Sequence, residues 1–326
     1  MNFKNIKISA VIVLLFSMMI IQSCVKEADI QIELKGIPGG GILDAEVKSI
    51  NGNIVNFKLD LFAVNHYGQF IEDLDGDCFT SPNDDLEITE IQVGSDDEKG
   101  SYSVMMLFDQ SGSIIDTDPL DARIDAGKAF IDILGKGDEA GVSIFSGSGY
   151  TILSEFSTNQ VQLSDQIESM RDTEGGGTPL YNSIYGLIDN VAQNAKNQNK
   201  AIIVFTDGED TNSSTTPQTI IDYASSQGVQ IFTIGLGTVV NYQALTDIAL
   251  GTGGAVMLAQ DALQLIALYN SLSDLLHGDG TFYETCWQAK KPNGSDWVSG
   301  DDVVSTLNLT LPTGEVIEYF IRFKIP

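Results

Sequence analysis

The chain has 326 residues, enough for roughly two domains, and 43% of them are hydrophobic, so it can form buried cores. Its 45 acidic residues outnumber the 17 basic ones and give a formal net charge of -28. A field of that sign repels phosphate backbones and anionic lipid headgroups, which excludes nucleic-acid binding and electrostatic attachment to a membrane. With two histidines and three cysteines, the chain has little material for a zinc site or a histidine-based catalytic triad.

The N-terminus has the pattern of a bacterial lipoprotein signal. Lysines precede an apolar run from Ile8 to Ile21, which is short for a membrane span and fits a secretory signal. The run ends at Ser23-Cys24, which resembles a lipobox, where a small residue precedes the cysteine that is diacylated after cleavage. The resemblance implies that residues 1–23 are a signal peptide and that lipid at Cys24 anchors the protein to a membrane. An uncleaved anchor, or a plain signal with a chance cysteine, is the alternative.

An acidic stretch follows this cysteine, Val25-Lys26-Glu27-Ala28-Asp29. It looks like the signals that send some lipoproteins of Bacteroidetes-type bacteria to the cell surface. The expected location is therefore the bacterial cell envelope, with the lipid in the outer membrane and the protein either periplasmic or surface-exposed.

Two further cysteines, Cys78 and Cys286, could form a disulfide in an oxidising compartment. Such a bond would close a very long loop and join segments near the two ends of the chain. Two buried free thiols are the alternative, because the sequence alone does not fix the distance between the two side chains.

Residues 24–99 are predicted to be strands of a β-unit. Apolar and polar residues alternate from Phe57 to Ala63, which is typical of a strand with one buried face. Asn51-Gly52 just before it is a hairpin-turn dipeptide, and the apolar residues between Leu86 and Val93 indicate a further strand. The polar stretch 94–100 has the composition of a loop and marks a boundary.

Residues 100–279 have a different pattern, in which short apolar strands alternate with amphipathic helices. Helical faces are indicated from Leu120 to Leu134 and from Leu180 to Val191, and strands are predicted at 104–108, 140–145, 201–205, 229–234 and 255–258. This alternation predicts an α/β domain, with a mainly parallel sheet covered by helices on both faces. Ligand sites in such domains lie at the carboxyl ends of the strands.

Residues 280–326 return to the period of two. Strands are predicted at 281–289, around 307–311 and at 316–324, with Pro312-Thr313-Gly314 as the turn of a terminal hairpin. The few strands at each end would make marginal domains alone, so segments 24–99 and 280–326 are predicted to form one β-sandwich into which the α/β domain is inserted. A bond between Cys78 and Cys286 would join the two halves of that sandwich.

Oxygen-bearing side chains follow two of the predicted strands and precede one helix. Strand 104–108 runs into the segment from Asp109 to Ser113, strand 201–205 leads to Asp207, and a glycine-rich loop leads to Thr178. Hydroxyl and carboxylate oxygens suit Mg²⁺ or Mn²⁺. Each piece alone could be a turn or a helix cap, but the three together, in this order at strand ends, predict a metal site.

These motifs closely resemble the metal-ion-dependent adhesion site of von Willebrand factor type A domains. All the positions of that site are present, at Asp109, Ser111, Ser113, Thr178 and Asp207. The resemblance covers residues 101 to 278 and implies a Rossmann-like fold, with the three hydroxyls as direct ligands and the aspartates acting directly or through water. It also implies Mg²⁺, with Mn²⁺ or Ca²⁺ as alternatives, and a partner acidic side chain that completes the coordination.

The sequence therefore predicts a binding protein rather than an enzyme, namely a metal-dependent, adhesion-type domain displayed on a membrane-anchored lipoprotein. Its partner would be a protein or surface ligand that presents an acidic side chain. One alternative is an envelope scaffold or assembly factor whose metal is structural, and another is a metal-assisted hydrolase, for which the site lacks an evident general base. Gly127-Lys128-Ala129 lacks the surroundings of a phosphate loop, so no nucleotide binding is predicted.

Overall fold

The computed structural model describes residues 37–83, 85–94 and 99–326, which contain thirteen strands and seven α-helices. The strands are β1 (Gly39–Asn51), β2 (Ile54–Val64), β3 (Phe79–Thr80), β4 (Leu86–Gly94), β5 (Tyr102–Asp109), β6 (Glu139–Ser146), β7 (Gly149–Ser157), β8 (Asn199–Thr206), β9 (Val229–Leu236), β10 (Val256–Ala259), β11 (Phe282–Lys290), β12 (Asp302–Thr310) and β13 (Val316–Lys324). The helices are α1 (Ile114–Thr117), α2 (Ala122–Asp132), α3 (Gln160–Glu168), α4 (Leu180–Asn194), α5 (Pro217–Gln227), α6 (Tyr242–Gly251) and α7 (Gln264–His277).

Five parallel strands form the centre of the larger sheet, in the order β10-β9-β8-β5-β6, and β7 adds an antiparallel edge to β6. Side chains of β5 alternate between two cores. Met105 and Leu107 pack with helices α4 to α6, whereas Met106 and Phe108 pack with α2, α3 and α7 on the opposite face. The near-continuous apolar sequence of the central strands follows from this burial on both faces, and the predicted mainly parallel sheet with helices on both sides is confirmed.

The segments that flank the α/β region extend the same sheet. Strand β1 runs antiparallel to β10, with Gly41 opposite Met257, and β2, β11 and β4 follow in that order. A Cβ added to Gly41 would lie 2.7 Å from the carbonyl oxygen of Val256, so glycine permits the close approach of the two backbones at this junction.

A second sheet, in the order β13-β12-β3, packs over β2 and β11. The rings of Phe57 and Phe323 lie 4.9 Å apart across this interface, and the Tyr319 hydroxyl donates to the carbonyl of Phe62 at 2.8 Å. Strands from both ends of the chain therefore form the sandwich that the sequence predicts. One of its two sheets is continuous with the central sheet, because β1 pairs with β10.

Helix α2 begins later than the sequence pattern indicates. The Asp118 carboxylate accepts hydrogen bonds from the backbone amides of Ala122 at 2.7 Å and Arg123 at 3.1 Å, which fixes the start of the helix. Leu120, which the sequence places on the helical face, lies in the preceding turn and is 64% exposed.

Strand β7 and helix α3 are absent from the sequence prediction. Strand β7 is a sheet edge on which Ser154 is the one buried residue, so the apolar side chains that alternate along it are at most part-buried and the pattern is short. Helix α3 buries Leu163 and Ile167 alone, and its start is fixed by the Asn159 side chain, which accepts from the amide of Gln162 at 3.2 Å. Short elements with so few buried side chains give weak periodic patterns.

The predicted disulfide between Cys78 and Cys286 is not formed, and both residues are free thiols. Alternate side chains of β11 point to opposite faces, and Trp287 faces the sandwich core against which Cys78 packs. Cys286 therefore lies on the other face of β11, and strand geometry keeps the two sulfur atoms apart. The thiol of Cys78 instead donates to Oδ1 of Asp75 at 3.4 Å.

The predicted signal peptide and Cys24 lie outside the described residues. Within the part of the chain that is described, none of the helices combines the length and apolar character that a membrane crossing needs.

Candidate metal centre

Three loops at one end of the central sheet bring the predicted metal ligands together. Asp109 is the last residue of β5, and Ser111 and Ser113 lie between β5 and α1. Asp207 directly follows β8, and Thr178 lies just before α4. Strands β5 and β8 are parallel neighbours that stay in register to their carboxyl ends, so the two aspartates are carried to the same edge of the sheet.

A chain of hydrogen bonds connects the two aspartates. Oδ1 of Asp109 accepts from the amide of Ser111 at 2.8 Å, and the hydroxyl oxygens of Ser111 and Ser113 lie 3.1 Å apart. The Ser113 hydroxyl then donates to Oδ1 of Asp207 at 2.8 Å. Four of the predicted ligands thus belong to one hydrogen-bonded cluster.

Thr178 is held against the same cluster by its backbone. Its amide donates to the Thr211 hydroxyl at 3.1 Å, and its carbonyl accepts from the Thr211 amide at 3.0 Å, so its position is tied to the loop after β8. A Cβ placed on Gly208 would lie 3.8 Å from Oγ of Ser113 and 3.9 Å from Oγ1 of Thr178. Both hydroxyls therefore lie beside Gly208, and all the residues predicted as metal ligands converge at this point.

The two carboxylates of the cluster are buried, with 0% of Asp109 and 2% of Asp207 exposed to solvent. Burial raises the pKa of Asp109 to about 6, and the nearby charge of Asp207 acts in the same direction, although hydrogen bonds from Ser111 and Thr206 oppose the shift. Across the described ranges, neither aspartate forms an ion pair with Lys, Arg or His. A divalent cation would supply the positive charge that this cluster lacks.

The donor atoms fit a hard divalent cation. The described residues contain no group of three or more His, Cys, Asp or Glu side chains that could hold a metal. The candidate centre is instead built from two carboxylates and three hydroxyls, which are the hard oxygen donors that Mg²⁺ and Mn²⁺ prefer. Ser113 is exposed, so the centre is open to solvent on one side, where a ligand from another molecule could enter.

Two threonines that the sequence analysis did not single out orient the aspartates. The buried Thr206 hydroxyl donates to Oδ2 of Asp109 at 2.7 Å, and the Thr117 hydroxyl donates to Oδ2 of Asp207. Outer hydrogen bonds of this kind fix the direction in which a ligand's oxygen atoms point. Thr206 is adjacent to Asp207 in the sequence, but nothing in the sequence shows that its partner is Asp109, which lies on the neighbouring strand.

A fully buried arginine supports the loops from behind. The Arg123 guanidinium donates to Oδ2 of Asp118 at 2.9 Å, to Oδ1 of Asp121 at 2.7 Å, to Oε1 of Gln110 at 2.6 Å and to the carboxylate of Glu174. Gln110 belongs to the loop after β5, and Glu174 begins the glycine-rich loop that leads to Thr178. One cation thus joins two of the three loops, a role that no sequence motif indicates.

Asp210 holds the start of α4 beside the centre. Its Oδ1 accepts from the amide of Tyr181 at 3.0 Å and from the hydroxyl of Ser213 at 2.6 Å. The loop after β8 therefore supplies Asp207 to the centre and also caps the helix that follows Thr178.

Comparisons with known proteins identify the family of this region. The model of the von Willebrand factor type A domain family matches residues 103–271, which include every predicted metal ligand. A search of curated proteins gave no match.

Several solved structures are similar to the chain. A von Willebrand factor type A protein from Catenulispora acidiphila is 13% identical, with 89% of this chain and 74% of that chain covered and a TM-score of 0.48. The conserved hypothetical protein BatB from Bacteroides thetaiotaomicron is 19% identical, with 54% of this chain and 100% of that chain covered and a TM-score of 0.42. Proximal thread matrix protein 1 from the mussel byssus, whose structure has a zinc-occupied adhesion-site motif, is 19% identical, with 62% and 50% covered and a TM-score of 0.45.

Proposed function

This chain belongs to the von Willebrand factor type A domain family, whose members generally mediate protein interactions, and from that premise we propose that its candidate centre binds partners through a divalent cation. The observation that carries the proposal is the connected oxygen cluster from Asp109 to Asp207, in which two buried carboxylates have no cationic side chain against them in the described structure. In this proposal, Mg²⁺ is the expected ion, with Mn²⁺ or Ca²⁺ as alternatives.

The hydroxyls of Ser111, Ser113 and Thr178 would hold the ion, and the two aspartates would act directly or through water. When bound, the cation supplies the positive charge that an acidic side chain of the partner recognises. The chain itself has a formal net charge of -28, so an acidic group would otherwise be repelled from its surface. The residues around the cluster position the loops, and the exposed side near Ser113 admits the partner.

We further propose that lipid at Cys24 tethers this domain to the bacterial envelope, as the N-terminal sequence indicates. The flanking sandwich would then carry the domain, with the metal face available to a protein or surface ligand. Domains of this family are typically interaction modules, and the proposed role is adhesion or assembly of an envelope complex rather than catalysis.

The first experiment measures the cation directly. Because an ion that binds the folded state alone stabilises it, Mg²⁺ at about 100 times its dissociation constant should add about 2.7 kcal/mol to the free energy of unfolding. Asp109→Ala should abolish this gain, whereas Asp132→Ala, which removes an exposed carboxylate at the far end of α2, should keep it. An equal response in the wild type and in Asp109→Ala would contradict the proposed site.

The second experiment tests whether the cation recognises the partner. The full-length protein is used to capture ligands from envelope and extracellular-matrix extracts in Mg²⁺, in EDTA and as Asp109→Ala. Partners retained by the wild type in Mg²⁺ alone would support metal-dependent binding. Partners retained under all three conditions would instead favour the alternative, a scaffold in which the metal only stabilises the loops.

A further inference from the structure

A cavity of about 450 Å³ lies beside the candidate metal centre, at the carboxyl ends of β9 and β10. Thr117 forms part of its lining, and the hydroxyl of the same residue donates to Asp207. The cavity and the candidate metal centre therefore share Thr117 as a common wall.

The lining of the cavity combines apolar surface with two carboxylates. Leu120, Leu236 and Ala262 provide apolar walls, and Asp116 and Asp261 are exposed carboxylates in the lining. Leu120 is 64% exposed, which leaves its side chain available for contact with another molecule.

Neither carboxylate has a cationic partner in the ranges that the structure describes. Oδ1 of Asp261 accepts from the amide of Leu263 at 2.8 Å, which leaves Oδ2 for another donor. No Lys or Arg is among the described residues that line the cavity, so its lining carries a net negative charge.

We propose that this cavity binds the side chain of a Lys or Arg that neighbours the metal-binding acidic residue of the partner. The inference rests on the proposed function, because it is the metal centre that places the partner beside the cavity. The aliphatic stem of such a side chain would pack against Leu120 and Ala262, and its charged head would reach Asp116 and Asp261. The recognised feature is thus an Asp or Glu with a basic residue close to it.

The charge of the whole chain agrees with this occupant. A net charge of -28 repels a uniformly acidic partner but attracts a segment in which a basic side chain accompanies the acidic one. The metal would select the carboxylate of the partner, and the cavity would select the basic side chain next to it.

The test uses short synthetic peptides and the full-length protein. Each peptide has a fixed Glu in a Ser and Gly background, with Lys, Arg, Leu or a second Glu at one of the neighbouring positions. In Mg²⁺, the peptides with Lys or Arg at the best position should bind roughly five-fold more tightly than the peptide with Leu, which is the effect of a part-exposed ion pair. EDTA should abolish the binding of all these peptides.

Charge reversal at the cavity provides the decisive comparison. Asp116→Lys and Asp261→Lys should each remove the preference for Lys, and the double variant should turn it towards Glu, while binding still requires Mg²⁺. Asp132→Lys makes the same change of charge at an exposed position outside the cavity and should leave the preference for Lys intact. Circular dichroism of each variant verifies that the fold is retained.

The outcomes separate the two proposals. Binding that depends on Mg²⁺ but shows no preference for a basic neighbour, or a preference for Leu, would overturn the cavity inference and leave the metal-dependent function standing. A basic preference that survives both charge reversals would also overturn it. Peptides that bind equally well in EDTA, or not at all, would overturn both proposals.

Discussion

Nη2 of Arg123 donates to Oε1 of Gln110 at 2.6 Å, and Gln110 lies between Asp109 and Ser111 in the sequence. The arginine is fully buried, and its other hydrogen bonds reach Asp118, Asp121 and Glu174. Its guanidinium therefore supports the loop after β5, which carries Asp109, Ser111 and Ser113. Planar, multidentate donation of this kind is specific to arginine.

Arg123→Met should lower the free energy of unfolding by about 3 to 5 kcal/mol, because it leaves the buried carboxylate of Asp118 without its cation. Urea unfolding measures this loss. Arg171→Met is the matched control, since Arg171 is part-exposed and its ion pairs should contribute about 1 kcal/mol or less. Similar losses in the two variants would show that Arg123 is not the central support of the loops.

The hydrogen bond from Thr206 to Asp109 predicts an effect on metal affinity. Thr206→Val keeps the shape of the buried side chain but removes the donor at 2.7 Å from Oδ2 of Asp109, so the carboxylate is less well oriented. The affinity for Mg²⁺ should fall by roughly ten-fold or more, as is common when an outer hydrogen bond to a ligand is lost. Calorimetric titration measures the change.

Thr233→Val is the control for that variant. Thr233 is also a buried strand residue, but its hydroxyl donates to the carbonyl of Leu245 at 3.2 Å and does not touch the candidate centre. Its replacement should cost stability without changing the affinity for Mg²⁺. Equal affinities in Thr206→Val and Thr233→Val would mean that the Thr206 hydroxyl does not orient Asp109 for the metal.

The candidate metal ligands were easier to predict from the sequence than the residues that support them. The candidate ligands lie at or just after strand ends: Asp109 ends β5, Ser111 is two residues further on, and Asp207 follows β8. The alternation of strands and helices is therefore sufficient to bring them together. The Thr206 hydroxyl reaches Asp109 across 97 residues, and Arg123 reaches Gln110 and Glu174 in two different loops. Such contacts depend on tertiary packing that no local pattern encodes.

In the fold, too, elements with a local sequence pattern were recognisable, whereas contacts between distant segments were not. The apolar strands of the centre were recognisable because burial on both faces leaves a long hydrophobic run, and the hairpin of β1 and β2 has the Asn51-Gly52 turn with Gly52 at a φ of 62°. The pairing of β1 with β10 was not recognisable, because it depends on a glycine that lets two distant strands approach.

Glu168 provides a prediction for pH dependence. Hydrogen bonding to Arg171, together with Lys128, lowers the pKa of this carboxyl from 4.5 to about 2. Because its pKa is lower in the folded protein than in the unfolded chain, the Glu168 carboxylate stabilises the fold fully above pH 4.5 and loses this effect as the pH falls towards about 2. Because the Glu168 side chain is 43% exposed, Glu168→Gln should cost no more than about 1 kcal/mol at neutral pH.

Urea unfolding at neutral pH and across that acidic range tests this prediction, because the difference between Glu168→Gln and the wild type should shrink as the wild-type carboxyl is protonated. Asp165→Asn removes a carboxylate from the same helix that forms no ion pair in the described structure, and it should show no such trend. A difference that stays constant with pH would assign the loss to packing rather than to charge.

The placement of the two remaining cysteines predicts their redox state. Cys286 lies on the face of β11 opposite Trp287, whereas Cys78 packs with the core on the Trp287 side, so a bond between them would require the strand to rotate. Both thiols should therefore be alkylated when the purified protein is unfolded without reductant, and peptide mapping should recover the two residues in separate modified peptides. Recovery of a Cys78–Cys286 linked peptide from envelope material would instead show that β11 or the segment around Cys78 is placed differently in the oxidised protein.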